Sequence, residues 1–501
     1  MGRDVTAGVT GHGLAVPLAS ARVLVAGLGV TGRGVVAALD GRVAALVTAD
    51  DRDPEADLHD LAAADLGAVD LLVASPGLPP THPLLVRADE AGVPVWSEVE
   101  LAWQLRAGRD HGDGAGTPAP WLAITGTDGK TTTVGMLASI LASAGLRAPA
   151  VGNVGESLAL AALDPANDVL AVELSSAQLH FTYSLSALAS AVLNVAADHL
   201  EWHGSVEAYA AAKGRVFERA QVACVYNAAY PVTERLVREA DVVEGARAVG
   251  FTLGAPGPGQ LGLVEDVLVD RAFHLPADDP ARAASAAELG TLADLAHLAG
   301  ADERVAPHLV ADALAAAALA RAAGVPASAV RDGLRAFRLG AHRGDRVAVV
   351  DGVPYLDDSK ASNAHAAGVA LAAHTPGTVV WVAGGFSKGA RYDDLVERHA
   401  DRLRAVVLLG TDPAPFADAL ARHAPQIPVV RVDPGETGTV MSRAVAAAHR
   451  LARPGDVVLL APAAASWDQF RSYVERGELF AGAARALAPA PGEAAGEGTV
   501  A

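Results

Sequence analysis

Between residues 121 and 141 the chain reads WLAITGTDGKTTTVGMLASIL, an apolar run that stops at a glycine-rich turn and passes directly into a helix-compatible stretch. A strand that feeds straight into a helix needs a neighbouring strand to return to and a sheet for the helix to cover, so this segment commits the chain to a layered, mainly parallel α/β architecture. The same order opens at ARVLVAGLGVTGRGVVAAL (21–39), with further strand-like runs at AALVTAD (44–50) and VDLLVASPG (69–77). It continues at AVEL (171–174) and SAVLNV (190–195), and again at GTVVWVAGG (377–385), RAVVLLGT (404–411) and GDVVLLAPAA (455–464).

A chain of 501 residues exceeds a single core, and at roughly 100 to 200 residues per domain about three are expected. By its Gly, Pro and Asp content AGRDHGDGAGTPAP (107–120) is the best linker, and helical patterns at 311–325 and 327–337 lead to a second boundary near Gly340. The expectation is an α/β protein of three domains, each on a mainly parallel sheet: 1–115 Rossmann-like, 116–340 P-loop ATPase-like and 341–487 Rossmann-like. Residues 488–501 are expected to be a disordered tail.

A net charge of −19 argues against nucleic acid or an anionic membrane as partner, because non-specific binding to either is phosphate neutralisation by Lys and Arg. No run of 18 apolar residues offers a membrane span, and the start lacks a secretory pattern; MGRDVT (1–6) fits a loose myristoylation signal that we read as chance. A single cysteine, Cys224, excludes an intrachain disulfide framework. These features predict a soluble, cytoplasmic protein.

Any phosphate must then be held locally. GTDGKTT (126–132) follows a strand and opens a helix, where backbone N–H groups and a helix N-terminus can cradle polyphosphate. Its G-x-x-G-K-T spacing is shorter than the ordinary G-x-x-x-x-G-K, whose first glycine would fall on Ile124. Lys130 would reach the β/γ-phosphates and Thr131 would ligate Mg²⁺. Only four of the 39 basic residues are lysine: Lys130, Lys213, Lys360 and Lys388. In a chain that otherwise uses arginine, a retained lysine marks a place that needs a compact ammonium or an amine able to lose its proton.

GLGVTG (27–32), with Asp50 and Asp51 downstream, reads nearly equally as a dinucleotide site or as the turn any doubly wound sheet requires. Glu173 ends an apolar strand, suited to holding Mg²⁺ opposite the phosphate loop, and His199 also follows a strand. Lys213, on a helical stretch, is by default a solvated cation. In the third segment YLDDSKASN (355–363) gathers Asp358, Lys360, Ser362 and Asn363, while GGFSKGARY (384–392) and APAAASWDQFRSYVERG (461–477) bring Lys388, Ser466 and Tyr473 to strand ends. Strand-end loops form the ligand crevice of open α/β sheets, and two lysines there suit an anionic substrate.

Together these motifs resemble the bacterial Mur ligases. GTDGKTT, ELSSAQL, DHLEWHGS with YAAAKGRVF, AHR (341–343), DDSKASN, GGFSKG and APAAASWDQF stand in that family's order and spacing over nearly the whole chain. The short phosphate loop is shared with folylpolyglutamate and cyanophycin synthetases, whereas DDSKASN and SWDQF point to members that add D-glutamate. The resemblance implies a monomeric ATP-dependent ligase that joins D-glutamate to UDP-N-acetylmuramoyl-L-alanine through an acyl phosphate, for peptidoglycan precursor synthesis. It implies that Val30, Thr31, Asp50, Arg52 and Ser75 lie near the UDP moiety and that Asn153 contacts the same substrate. Gly126, Thr127, Asp128, Gly129, Lys130, Thr131, Thr132, Asp312, Arg343 and Asp358 would hold ATP. Two Mg²⁺ ions would be held by Thr131, Glu173, His199 and a carbamylated Lys213, with Lys130, His199 and Lys213 catalytic, and Lys360, Ser362, Lys388, Ser466 and Tyr473 would form the D-glutamate pocket.

Four departures from the family pattern stand out: Asp128 for Asn, Ala196 for Thr, HLVADA (308–313) for H-N-x-x-N-A with Leu309 and Asp312, and Ser362 for Thr. A carboxylate beside phosphates is unfavourable unless metal or a proton offsets it. Three alternatives stay open: another amide ligase of the same superfamily, a non-catalytic nucleotide-binding relative, and a nicotinamide-dependent oxidoreductase built on GLGVTG. The last leaves the phosphate loop and the lysines unexplained.

Overall fold

The computed structural model describes residues 13–108, 116–276, 278–299, 304–435 and 437–487. The MGRDVT segment, most of the expected linker and the 488–501 tail lie outside them. By their contacts the residues fall into two compact units, one running to Ala197 and over Trp202–Arg338, the other Asp198–Glu201 with the chain from Leu339. The first unit carries two sheets and the second carries one.

In the first sheet β1 (Arg22–Ala26) lies between β2 (Ala45–Ala49) and β3 (Leu71–Ala74), with β4 (Val95–Trp96) beyond β3, and every pairing is parallel. Alternate side chains of β1 and β3 enter two different cores, Leu24, Ala26, Leu72 and Ala74 on one face and Val23, Val25, Leu71 and Val73 on the other. A strand covered on both faces reads as a continuous apolar run, which is how VLVA and LLVA read. The turn from β1 into the helix Val30–Leu39 requires glycine: a Cβ on Gly32 would sit 1.9 Å from the Gly27 carbonyl oxygen.

The second sheet comprises β5 (Trp121–Thr125), β6 (Ala150–Gly152), β7 (Leu170–Glu173), β8 (Ala189–Val192), β9 (Ala223–Asn227), β10 (Arg247–Phe251), β11 (Gln260–Val264), β12 (Val267–Asp270) and β13 (Ala287–Thr291). Its order is β13-β12-β11-β10-β9-β8-β5-β7-β6, parallel except where β12 pairs β11 and β13. Strand β5 is therefore interior, flanked by β7 and β8, and all five of its residues are buried. The helix that follows it, Lys130–Ser143, is covered by Pro307–Ala322 and Ala327–Ala336.

The third sheet holds β14 (Asp345–Val350), β15 (Val353–Asp357), β16 (Val379–Gly384), β17 (Leu403–Leu409), β18 (Val429–Arg431) and β19 (Val457–Leu460) in the order β14-β15-β19-β16-β17-β18, with only β14 antiparallel. Its carboxyl ends carry the loops 358–363, 385–389 and 461–470. The expected α/β class with mainly parallel sheets is thus observed in all three regions. Among the described residues no helix is long and apolar enough to cross a membrane.

Candidate active site

The phosphate loop is fixed from below and open at the helix end. Asn194, just beyond β8, accepts at Oδ1 from the backbone N–H groups of Thr127 (3.0 Å) and Asp128 (2.9 Å), while its Nδ2 donates to the Asp128 carbonyl at 3.1 Å. Thr127 Oγ1 accepts from the N–H of Ala196 at 2.9 Å and meets the Tyr209 hydroxyl at 3.3 Å. Gly129, at φ 83°, supplies the left-handed step into Lys130–Ser143. No side chain caps that helix, whereas Ser175 and Ser205 cap Ser176–His180 and Val206–Gly214. A helix N-terminus without a side-chain cap is the kind of place that can receive an anion.

Two lysines converge on this loop. Lys130 Nζ donates to the carbonyls of Gly126 (2.9 Å) and Thr127 (2.7 Å), and Lys213 Nζ donates to the same Gly126 carbonyl at 2.8 Å. Lys213 is 1% exposed and lies over the Tyr209 ring at 4.4 Å, so the default reading of a solvated helix cation is overturned. The physical reason is helical spacing: residues 209 and 213 stand four apart on one face of Val206–Gly214, and that face is turned to the loop.

Glu173 ends β7, where it pairs with Ile124 of β5. One carboxylate oxygen accepts from Asn153 Nδ2 at 2.8 Å; the other, Oε2, is buried with no hydrogen-bond partner. A carboxylate taken out of water with one oxygen unmet is costly, and a cation is the partner that would satisfy it. The donor set fits Mg²⁺, which keeps several waters and takes one or two carboxylates together with substrate phosphates. Among the described residues there is no group of three or more His, Cys, Asp or Glu placed to hold a metal by themselves. His199 stands at φ 53° in its own segment, its N–H bonded to Asp198 Oδ1 and its ring 3.6 Å and 3.8 Å from the Asp198 and Glu201 carboxylates.

Asp312 is 6% exposed in Pro307–Ala322. It accepts from Thr133 Oγ1 at 3.1 Å, and the same oxygen lies 2.4 Å from where a Cβ on Gly129 would stand. It therefore packs against the turn from the loop into the helix. Asparagine keeps a carbonyl oxygen for Thr133, so Asp312→Asn is expected to leave the melting temperature within a few degrees and the KM for ATP unchanged or lower. A large rise in that KM would mean the pocket has been built around the carboxylate. Leu309 is buried at 6% exposed and offers no polar contact.

At the first sheet, Asp50 is engaged by its own loop. Its oxygens accept from the N–H groups of Leu28 (2.7 Å), Arg52 (2.8 Å) and Asp53 (3.0 Å). Burial opposes its ionisation, but these three bonds outweigh burial and hold the carboxyl below its usual range. Asp51 likewise accepts from Leu61 N–H. Both acids thus shape the turn, which weakens the dinucleotide reading. Val30 is 83% exposed, Thr31 and Ser75 are half-buried and Arg52 is exposed around GLGVTG, a surface open to a large ligand.

In the second unit the loops at the sheet's carboxyl edge are tied by Arg476, which is fully buried. Its guanidinium donates to Ser359 Oγ (3.0 Å), the Ser359 carbonyl (2.8 Å) and the Ala464 carbonyl (3.0 Å), and burial pushes its pKa down to about 10. Ser359 in turn donates to the Tyr473 carbonyl at 2.8 Å. Lys360 lies over the Tyr473 ring at 4.1 Å and Lys388 over the Trp467 ring at 5.3 Å. Ser466 is buried at the head of the same loop, and Ser362 is half-buried. Arg343 and Asp358 flank a tight pair in which His342 Nδ1 and Asp357 Oδ2 are 2.6 Å apart. Sequence reasoning left Asn194, Tyr209, Ser359, Trp467 and Arg476 without roles. A polar Asn194 within the apolar run SAVLNV was the available signal.

Residues 124–256 match the Mur ligase middle domain and residues 342–464 the Mur ligase glutamate ligase domain. The UDP-N-acetylmuramoylalanine--D-glutamate ligase of Streptomyces avermitilis is 56% identical over 480 residues, covering 93% of this chain and 98% of its own. The protein of the same name from Streptomyces coelicolor is 55% identical with the same coverage. Among solved structures, UDP-N-acetylmuramate-alanine ligase MurC from Thermotoga maritima aligns with a TM-score of 0.54 at 16% identity, over 93% of this chain and 99% of that one, which speaks for the fold alone. With a short phosphate loop, a buried lysine beside it and matched domains spanning more than half of its length, the chain belongs to the Mur ligase family.

Proposed function

We propose that this protein is an ATP-dependent ligase that adds D-glutamate to UDP-N-acetylmuramoyl-L-alanine in peptidoglycan precursor synthesis. The observation that carries the reading is 56% identity, across almost all of both chains, to a protein named for that reaction. We assign the UDP-linked substrate to residues 1–115, ATP to 116–340 and D-glutamate to 341–487; three separate sheets support this division.

A carboxylate is a poor electrophile, so one of its oxygens must become a leaving group. The terminal phosphoryl group of ATP passes to a carboxylate oxygen of UDP-N-acetylmuramoyl-L-alanine, giving an acyl phosphate and ADP. The amine of D-glutamate attacks the acyl carbon, and the tetrahedral intermediate expels phosphate as the amide forms. Lys130 and the uncapped first turn of its helix neutralise charge spread over the transferring group. Asn194 holds the loop amides in place without reorganisation during the reaction. Bound Mg²⁺ supplies Lewis-acid polarisation of the phosphoryl oxygens, and Glu173, Thr131, His199 and a carbamate on Lys213 are the groups we assign to hold it. Asn153 keeps Glu173 oriented through their hydrogen bond.

A buried cysteine and dependence on ATP suit a cytoplasmic setting, where we place the protein as a monomer. The deciding experiment measures phosphate release. It should require ATP, UDP-N-acetylmuramoyl-L-alanine and D-glutamate together; release with L-alanine or a diamino acid in place of D-glutamate would instead favour another amide ligase of the family. Change in nicotinamide absorbance would revive the oxidoreductase reading.

A further inference from the structure

We infer that Trp467 is a positioning residue for the amino-acid substrate, acting by presenting its indole face to the Lys388 ammonium; this rests on the assignment of Lys388 to the D-glutamate pocket. Trp467 is the most exposed large apolar side chain of its unit at 66%, yet it sits in a loop that is rigidly held. On one side the next residues grip the end of β17, Asp468 Oδ2 accepting from Thr411 N–H and Gln469 Oε1 from Gly410 N–H, both at 2.9 Å. On the other side the loop pairs with the Lys388 segment itself, Phe386 and Ala465 exchanging backbone hydrogen bonds at 2.8 and 3.0 Å. The ring is thus presented at the surface from a backbone tied down on both sides.

What it meets is an ammonium. Lys388 Nζ is 5.3 Å from the Trp467 ring centroid, within the range of a cation–π contact. Lys388 itself has a positive φ of 51°, an unusual backbone for lysine that aims its stem. Six residues further on, at the start of the helix Tyr473–Leu487, Tyr473 does the same for Lys360 at 4.1 Å. Both lysines retained in this otherwise arginine-rich unit therefore rest on aromatic faces, one in the loop and one at the head of the helix that follows it. A ring attracts the ammonium without neutralising it or saturating its donors, so the cation stays oriented and available to a carboxylate. A free lysine would lose rotamer entropy on binding; here much of that loss has already occurred.

The test is a double-mutant cycle on the intact enzyme. Trp467→Leu is expected to raise the KM for D-glutamate about two- to fivefold, the range of an exposed cation–π contact, with kcat and the KM for ATP unchanged. Trp467→Phe, which keeps a ring face, should recover most of the loss. In a Lys388→Ala background, which alone should raise the D-glutamate KM far more than that for ATP, Trp467→Leu should add nothing. If Trp467→Leu raises KM by the same factor with and without Lys388, or if Phe behaves as Leu, the positioning role is wrong. If Lys388→Ala leaves the D-glutamate KM unchanged, it is the pocket assignment that fails. D-Glutamate should also alter the fluorescence difference between wild type and Trp467→Phe, since the ammonium over the indole takes up a new partner; no such change would count against the inference.

Discussion

Replacing Lys213 with alanine is expected to lower ligation at least about a thousandfold, the scale on which losing one electrostatic contact to a transferring group is felt, while circular dichroism still reports a folded protein. The cost to stability should be about 1–2 kcal/mol, because the aliphatic stem fills a fully buried position. The side chain shares the Gly126 carbonyl with Lys130, which concentrates two cations at one oxygen of the phosphate loop. The proposed carbamylation would change that balance: the ammonium gives up a proton, the neutral amine nitrogen attacks the carbon of CO₂ and loses a second proton, and a cation becomes a carboxylate able to bind metal. Arginine cannot undergo this reaction. Acetate supplied to Lys213→Ala is therefore expected to return part of the rate by placing a carboxylate in the vacated space, whereas Lys213→Arg should be inactive and not rescued. Full activity of either variant without additive would refute the carbamate, and failure of acetate with a folded, inactive Lys213→Ala would leave the lysine acting as a cation.

The sheets were legible because their interior strands are covered on both faces. VLVA, LLVA, WLAIT and VVWVAG are unbroken apolar runs, and each is found as β1, β3, β5 or β16. Several strands were not foreseen, among them ACVYN, which is buried as β9 between β8 and β10. RAVGF, QLGLV, VLVD and AELGT carry glycine or charge in runs of four or five, and they form one flank of the second sheet as β10 to β13. The β14–β15 hairpin was within reach: Asp351-Gly352, both at positive φ, stand between VAVV and VPYL, the composition a two-residue turn demands. At the site, chemistry-bearing residues on conspicuous loops could be named, but residues that hold those loops could not. Asn194 and Arg476 act through contacts with residues 66 and 117 positions away, and nothing local in the chain announces such partners. Lys213 shows the converse, since a helix pattern alone cannot say which face is turned inward.

Glu173→Gln should separate stability from function. In the protein without metal, Glu173 is 1% exposed and Oε2 has no hydrogen-bond partner, so the fold carries a carboxylate whose desolvation is only partly offset by Asn153. Glutamine keeps the size and an oxygen for Asn153 while removing the charge, and replacing an incompletely paired buried charge with a neutral group is often neutral or stabilising. The melting temperature in the presence of chelator is therefore expected to stay level or rise by a few degrees. If Glu173 holds the metal as proposed, activity should fall about a hundredfold or more, since one charged ligand would be gone. The two effects share one cause, and a third measurement ties them together. Wild-type protein with a nucleotide should gain thermal stability as Mg²⁺ is added, in proportion to RT ln(1 + [L]/Kd), and Glu173→Gln should gain less at every concentration. Lower stability of the variant in chelator, or an unchanged response to Mg²⁺, would show that the Glu173 carboxylate serves the fold and that the metal is held elsewhere.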